Sequence, residues 1–170
     1  MPSAPEDPGF LRTLRENEPR ILRFASLYAD QSADREELLH EIVFQLWKAY
    51  PSFRGASHVD TWLYRIALRV ATRFKARTAR RKRRSVHLEG IAIVDRRDTV
   101  HDAARNEEKQ RLRACISRLG PADRALVTLH LEGLSNAAVA DTLGITPGNV
   151  AVKLTRARKK LLSCLEETKR

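Results

Sequence analysis

The chain has 170 residues, 42% apolar and 31% charged, with a formal net charge of +11 at pH 7. That length allows one domain or two small ones, and the positive excess points to a polyanionic partner. MPSAPEDPGF has no signal-peptide pattern and no stretch reaches about 18 consecutive apolar residues, so a secreted or membrane-spanning protein is not expected and the reading is cytoplasmic, without membrane insertion.

Met1–Gly9 holds three prolines without periodicity and reads as a flexible start. Phe10–Tyr28 has the apolar spacing of a helix, with an interruption or restart expected near Pro19. Asp34 opens a second helix with an acidic first turn, which the helix dipole favours, and apolar Leu38, Leu39, Ile42, Val43, Leu46 and Trp47. This apolar face, continued by Phe44, is wider than one core stripe. It fits either plain core packing or a partner-binding surface. Tyr50–Ala56 reads as a loop broken by Pro51 and Gly55, and Ser57–Asp60 has the spacing of a capping box.

A third helix follows, with Trp62, Leu63, Ile66, Ala67, Val70 and Phe74 as its apolar stripe. Thr61–Arg84 holds ten Lys/Arg and no acid, and Arg65, Arg69, Arg73 and Arg77 recur every four residues as one basic ridge. Aromatics beside arginines suit unstacked bases. The helical spacing of Trp62 and Phe74 favours a core role for these two, leaving phosphate to the arginines. Val86–Thr99 loses the helical period and reads as a linker. Beyond it, Leu112, Ile116 and Leu119 mark a helix stopped at Gly120-Pro121, and Ala122–Leu131 a shorter one ended at Gly133.

Leu134–Leu161 is the most informative stretch. Ser135 caps a short helix with Val139, Ala140 and Leu143 inward, Gly144 supplies a left-handed stop, and Thr146-Pro147 starts a second helix. Val150, Leu154 and Ala157 face inward there, while Lys153, Arg156, Arg158, Lys159 and Lys160 carry +5 with no acid between Pro147 and Leu162. The pattern is a helix-turn-helix, a motif that places its second helix in the DNA major groove. The two basic stretches hold +15 between them, which leaves −4 for the rest of the chain.

Catalysis finds no support. The chain has no phosphate-cradling glycine loop and no nucleophile signature, and its histidines at 40, 58, 87, 101 and 130 lack metal spacing, so neither a cofactor nor a metal is expected. Cys115 and Cys164 lack CxxC or Cys/His spacing and read as buried reduced thiols first, with a redox pair as the lesser alternative.

In order and spacing, DREELLHEIVFQLWKAYPSFRG (Asp34–Gly55), TWLYRIALRVATRFKAR (Thr61–Arg77) and LGPADRALVTLHLEGLSNAAVADTLGITPGNVAVKLTRARKKL (Leu119–Leu161) resemble bacterial RNA polymerase sigma factors of the extracytoplasmic-function (ECF) group, the smallest of the sigma-70 family. The resemblance implies an all-α protein of two small domains. These are a σ2-like domain (residues 10–85) and a σ4-like domain with the helix-turn-helix (residues 105–170), joined by a flexible linker (86–104) after the flexible residues 1–9. It implies core RNA polymerase as partner through the β′ clamp and the β flap, promoter DNA, and an anti-sigma factor.

By the same resemblance, Glu37, Leu38, His40, Glu41, Phe44 and Trp47 would meet the polymerase. Phe53, Arg54, Ser57, Arg65, Arg69, Arg73 and Arg77 would lie at the −10 element and help melt it. Thr146, Asn149, Ala151, Lys153, Arg156, Arg158 and Lys159 would lie at the −35 element. The chain departs from the family's usual residues at Glu37-Leu38-Leu39-His40, at Arg69 where asparagine is common, at Asn136–Val139, and at Leu119-Gly120-Pro121, one residue longer than usual. The function implied is promoter-specific transcription initiation without enzymatic activity. The alternatives are a sigma-like decoy for an anti-sigma factor, or a helix-turn-helix regulator acting alone.

Overall fold

The computed structural model describes residues 7–53, 55, 58–85 and 103–169. Regular structure among them is helical: α1 (Pro8–Tyr28), α2 (Ser32–Ala49), a 3₁₀ turn (Tyr50–Ser52), α3 (Val59–Ser85), α4 (Ala103–Arg118), α5 (Pro121–Leu131), α6 (Asn136–Leu143) and α7 (Pro147–Lys169). The chain divides into two compact units, residues 1–93 with α1–α3 and residues 94–170 with α4–α7. The linker reading of Val86–Thr99 lies outside the described residues.

In the first unit the Asp7 carboxylate accepts from the Gly9 and Phe10 amides at 2.8 and 3.3 Å, and Pro8 occupies the first turn, where its missing N–H costs nothing. The expected break near Pro19 does not occur; α1 runs unbroken to Tyr28. Pro19 and Arg15 both lie on the exposed side, where water can take the carbonyl that the proline leaves unbonded. The core joins Phe10, Ile21 and Phe24 of α1 to Leu38, Ile42 and Leu46 of α2 and Leu63, Tyr64 and Phe74 of α3. Arg20 clamps α1 to α3 with a bidentate pair to Asp60 at 2.6 and 2.9 Å. That hydrogen bond raises the Arg20 pKa above its ordinary value, against the opposing effect of burial. The second helix begins at Ser32 rather than Asp34, and Asp34 sits buried in its first turn.

The second unit is built around the end of α4. Arg124 is buried, and its guanidinium donates to the carbonyls of Ile116 and Leu119, each at 3.2 Å, and of Ser117. The Ile116 carbonyl also accepts from the Leu119 amide at 3.1 Å, so the guanidinium adds a second bond there, supplies donors to the other two carbonyls, and complements the helix dipole. The two cysteines are not reduced thiols, as their spacing suggested: Cys115 on α4 and Cys164 on α7 form a disulfide across a sequence separation of 49. The pairing follows from α4 packing on α7, which no short spacing rule detects.

The helix-turn-helix is made as its residues dictate. The Ser135 hydroxyl accepts from the Ala138 amide at 3.2 Å. Gly144, at φ 68°, closes α6, and the Ile145 amide reaches back to the Ala140 carbonyl at 3.0 Å. The Thr146 hydroxyl accepts from the Asn149 amide at 3.3 Å and caps α7. A Cβ placed on Gly144 would meet nothing within 4 Å, so the demand for glycine there is conformational alone. Gly144→Ala should therefore destabilise the second unit by about 1 kcal/mol. Thermal unfolding of the variant against wild type checks this, and an unchanged midpoint would refute it.

Candidate nucleic-acid interface

The second unit presents α7. Val150, Leu154 and Ala157 are buried against the rest of the unit, which turns the other sides of the helix outward. Thr146, Asn149, Ala151, Lys153, Arg156, Arg158 and Lys159 are all exposed. They are not equivalent. The Thr146 hydroxyl is engaged as the helix cap, Arg158 lies 2.9 Å from His130 Nε2, and Lys160 is paired with Asp123 at 2.6 Å. Asn149, Lys153 and Arg156 are exposed along one flank of the buried stripe, and Ala151 lies on the other. Val152, outside the set that the resemblance implies, is 52% exposed near the middle of this surface. Counting outward from Val150, Leu154 and Ala157 by helical spacing would have found it.

In the first unit, Arg65, Arg69 and Arg73 are exposed along α3 at one-turn spacing. Arg77 continues the row but is held by α2, donating to Glu37 at 2.8 Å and Glu41 at 3.0 Å. The hydrogen bond to Glu41 raises its pKa above the ordinary value, with burial acting the other way. Its guanidinium also lies 5.2 Å from the centre of the Phe74 ring. One turn on, Arg81 bonds to Asp34 at 2.8 Å. The basic ridge is thus outward at its N-terminal half and tied to α2 at its C-terminal half. Tyr64 and Phe74 are buried and belong to the core. Trp62 is half-buried, with the half-buried Phe53 ring 4.8 Å away and Tyr50 at 6.3 Å, so an aromatic cluster sits where the chain enters α3. Arg54 and Ser57 lie outside the described residues.

The acidic helix α2 separates into two faces. Leu38 does not reach the surface; it is fully buried, because α1 and α3 both pack on that side. Glu37, His40 and Phe44 are exposed, and Leu39, Glu41, Val43 and Trp47 are half-buried. Phe44 is 44% exposed, its ring 5.8 Å from Trp47 and 5.9 Å from the Lys48 ammonium. Phe44 and Trp47 thus form a partly exposed aromatic edge on this face, with Lys48 beside it. No helix among the described residues is long and apolar enough to cross a membrane.

Two family models match the chain: Sigma-70 region 2 over residues 13–82 and Sigma-70 region 4 over residues 109–161. Among curated relatives, the ECF RNA polymerase sigma factor SigG of Mycobacterium tuberculosis is 33% identical over 153 residues, covering 75% of this chain and 41% of SigG. The chain therefore spans about two fifths of that relative's length. SigM of the same organism is 27% identical over 162 residues, covering 92% of this chain and 76% of SigM. The ECF sigma-E factor of Escherichia coli is 29% identical over 139 residues, covering 76% and 73%. The fold is shared with the sigma factor RpoE of Bartonella quintana, solved with the anti-sigma factor NepR (TM-score 0.67, 21% identity, 93% of this chain and 97% of that one). It is also shared with CnrH, solved with the cytosolic domain of CnrY (TM-score 0.66, 19% identity, 93% and 88%).

Proposed function

The chain belongs to the sigma-70 family, in its ECF group, and from that premise we propose that it binds core RNA polymerase and directs initiation at a promoter with −35 and −10 elements. The observation that carries this reading is α7: a capped helix in a helix-turn-helix, with an apolar side buried and a basic outward surface free of acids from Pro147 to Leu161. Such a helix fits the major groove and attracts phosphate.

In this reading the protein is not an enzyme and acts in the cytoplasm, where its polymerase is. Residues 10–85 serve as the polymerase-binding and −10 domain and residues 105–170 as the −35 domain, with 86–104 joining them. The exposed part of α2, with Glu37, His40, Glu41, Phe44 and Trp47, docks on the polymerase. Arg65, Arg69 and Arg73 meet DNA near the −10 element, with Phe53 beside the melted strand. Asn149, Ala151, Lys153 and Arg156 lie near base edges of the −35 element, and Arg158 and Lys159 near phosphate. The two structural neighbours are each held by a partner protein. That supports an anti-sigma factor as a further partner here.

The test is run-off transcription on fragmented genomic DNA with core polymerase, with and without the protein. Start sites that arise only in its presence establish the activity, and their alignment yields both elements. Binding to core without new start sites would favour the decoy reading. No binding to core would defeat the assignment and leave a helix-turn-helix regulator.

A further inference from the structure

The outward surface of α7 has an unusual centre. Opposite the buried Val150, Leu154 and Ala157, helical spacing lines up Gly148, Val152, Thr155 and Lys159 in one row. Gly148 has no side chain, and a Cβ there would meet nothing within 4 Å. Val152 is 52% exposed and makes no use of its methyl groups within the protein's core. The Thr155 hydroxyl donates to the Ala151 carbonyl at 3.0 Å, so its polar atom is engaged by the helix itself. The middle of the row is therefore apolar, and its flanks carry Asn149 and Arg156 on one side and Ala151 and Arg158 on the other.

Val152, the apolar centre of the row, cannot read a base by hydrogen bonds. In the major groove one base edge offers an apolar group, the 5-methyl of thymine. Gly148 lets the helix sit close, Arg158 and Lys159 hold phosphate, and Val152 then faces the base-pair edges. A valine needs no hydrogen-bond partner there, whereas it would leave a cytosine amino group or a guanine carbonyl desolvated and unpaired. We propose that Val152 is a specificity-determining residue that selects a thymine in the −35 element through its 5-methyl group. This rests on the assignment of α7 to that element.

The test uses holoenzyme, because the element is read in that assembly. A −35 sequence is first selected from a randomised promoter library. Each thymine in it is then replaced singly by 2′-deoxyuridine, which removes only the methyl, and binding is measured for wild type and Val152→Ala. At one position the wild-type holoenzyme should lose about four-fold in affinity, the factor equivalent to ~0.8 kcal/mol for one buried methyl. Val152→Ala should bind the thymine and uracil duplexes within two-fold of one another at that position. Val152 is on the surface, so the variant keeps its fold, which its unfolding midpoint will report. Insensitivity of wild type to every replacement, or equal sensitivity in the variant, overturns the inference while leaving α7 at the −35 element. A library from which no −35 element emerges overturns the assignment of α7 and this inference with it.

Discussion

Reduction of the Cys115–Cys164 bridge is expected to lower the unfolding free energy of the second unit by about 4 kcal/mol. The bridge joins residues 49 apart, so in the unfolded chain it closes a long loop and removes much of the freedom that folding must overcome. It also joins α4 to the C-terminal half of α7. Without it α4 is held by its packing on α7 and α5, with Ile116 buried and the Arg124 bonds at its end. For a unit of this size the loss corresponds to a midpoint shift on the order of 20 °C. Thermal unfolding of the oxidised full chain, with and without reductant, reads it directly. Cys164→Ser without reductant should match the reduced wild type, and the transition of the first unit should not move. Coincident melts with and without reductant would rule the stabilising role out.

The second large effect is expected at Phe44. Phe44→Asp should weaken binding to core RNA polymerase about a hundredfold, equivalent to roughly 3 kcal/mol, as for an aromatic anchor at the centre of an interface. The ring is 44% exposed, rests near Trp47 and Lys48, and contributes little to the core of its own unit. The first unit should therefore unfold at an unchanged temperature. Leu38→Asp, six residues away on the same helix but fully buried, should instead unfold the unit. Titration of labelled core polymerase with each variant, beside a melting curve, separates the two. Wild-type affinity for Phe44→Asp would remove this face of α2 from the proposed interface.

Features whose cause is local were legible in the sequence. Ser135, Gly144 and Thr146 act on backbone groups within a few residues, so the residue type at the right spacing was enough to place both helices of the helix-turn-helix. The inward set Val150, Leu154 and Ala157 follows from the period of the helix alone. Features that depend on a second helix were not legible. Leu38 and Phe44 are both apolar residues on α2, and only the seating of α1 and α3 decides that one is buried and the other exposed. The Cys115–Cys164 bridge and the Arg124 bonds join positions that no short motif relates. Pro19 misled for the opposite reason. A local rule predicted a break, and an exposed position let water take the hydrogen-bonding part of the penalty. Arg77 kept its place in the four-residue ridge, yet two glutamates on another helix took its charge.

Those two glutamates have a genetic consequence. Glu41 belongs to the surface proposed for polymerase docking and Arg77 to the row proposed for DNA, yet the pair is one unit at 3.0 Å. Substitutions at the two positions should not act independently. Reversing Glu41 to lysine sets it against Arg77 and loosens α2 from α3, and Arg77→Glu in the same chain should recover only part of the melting temperature, because the new carboxylate also faces Glu37. The double reversal should not restore polymerase binding if Glu41 also meets the polymerase. Second-site suppressors recovered from a Glu41 variant would then sort by position, those at Arg77 repairing the fold and those in the polymerase repairing the contact.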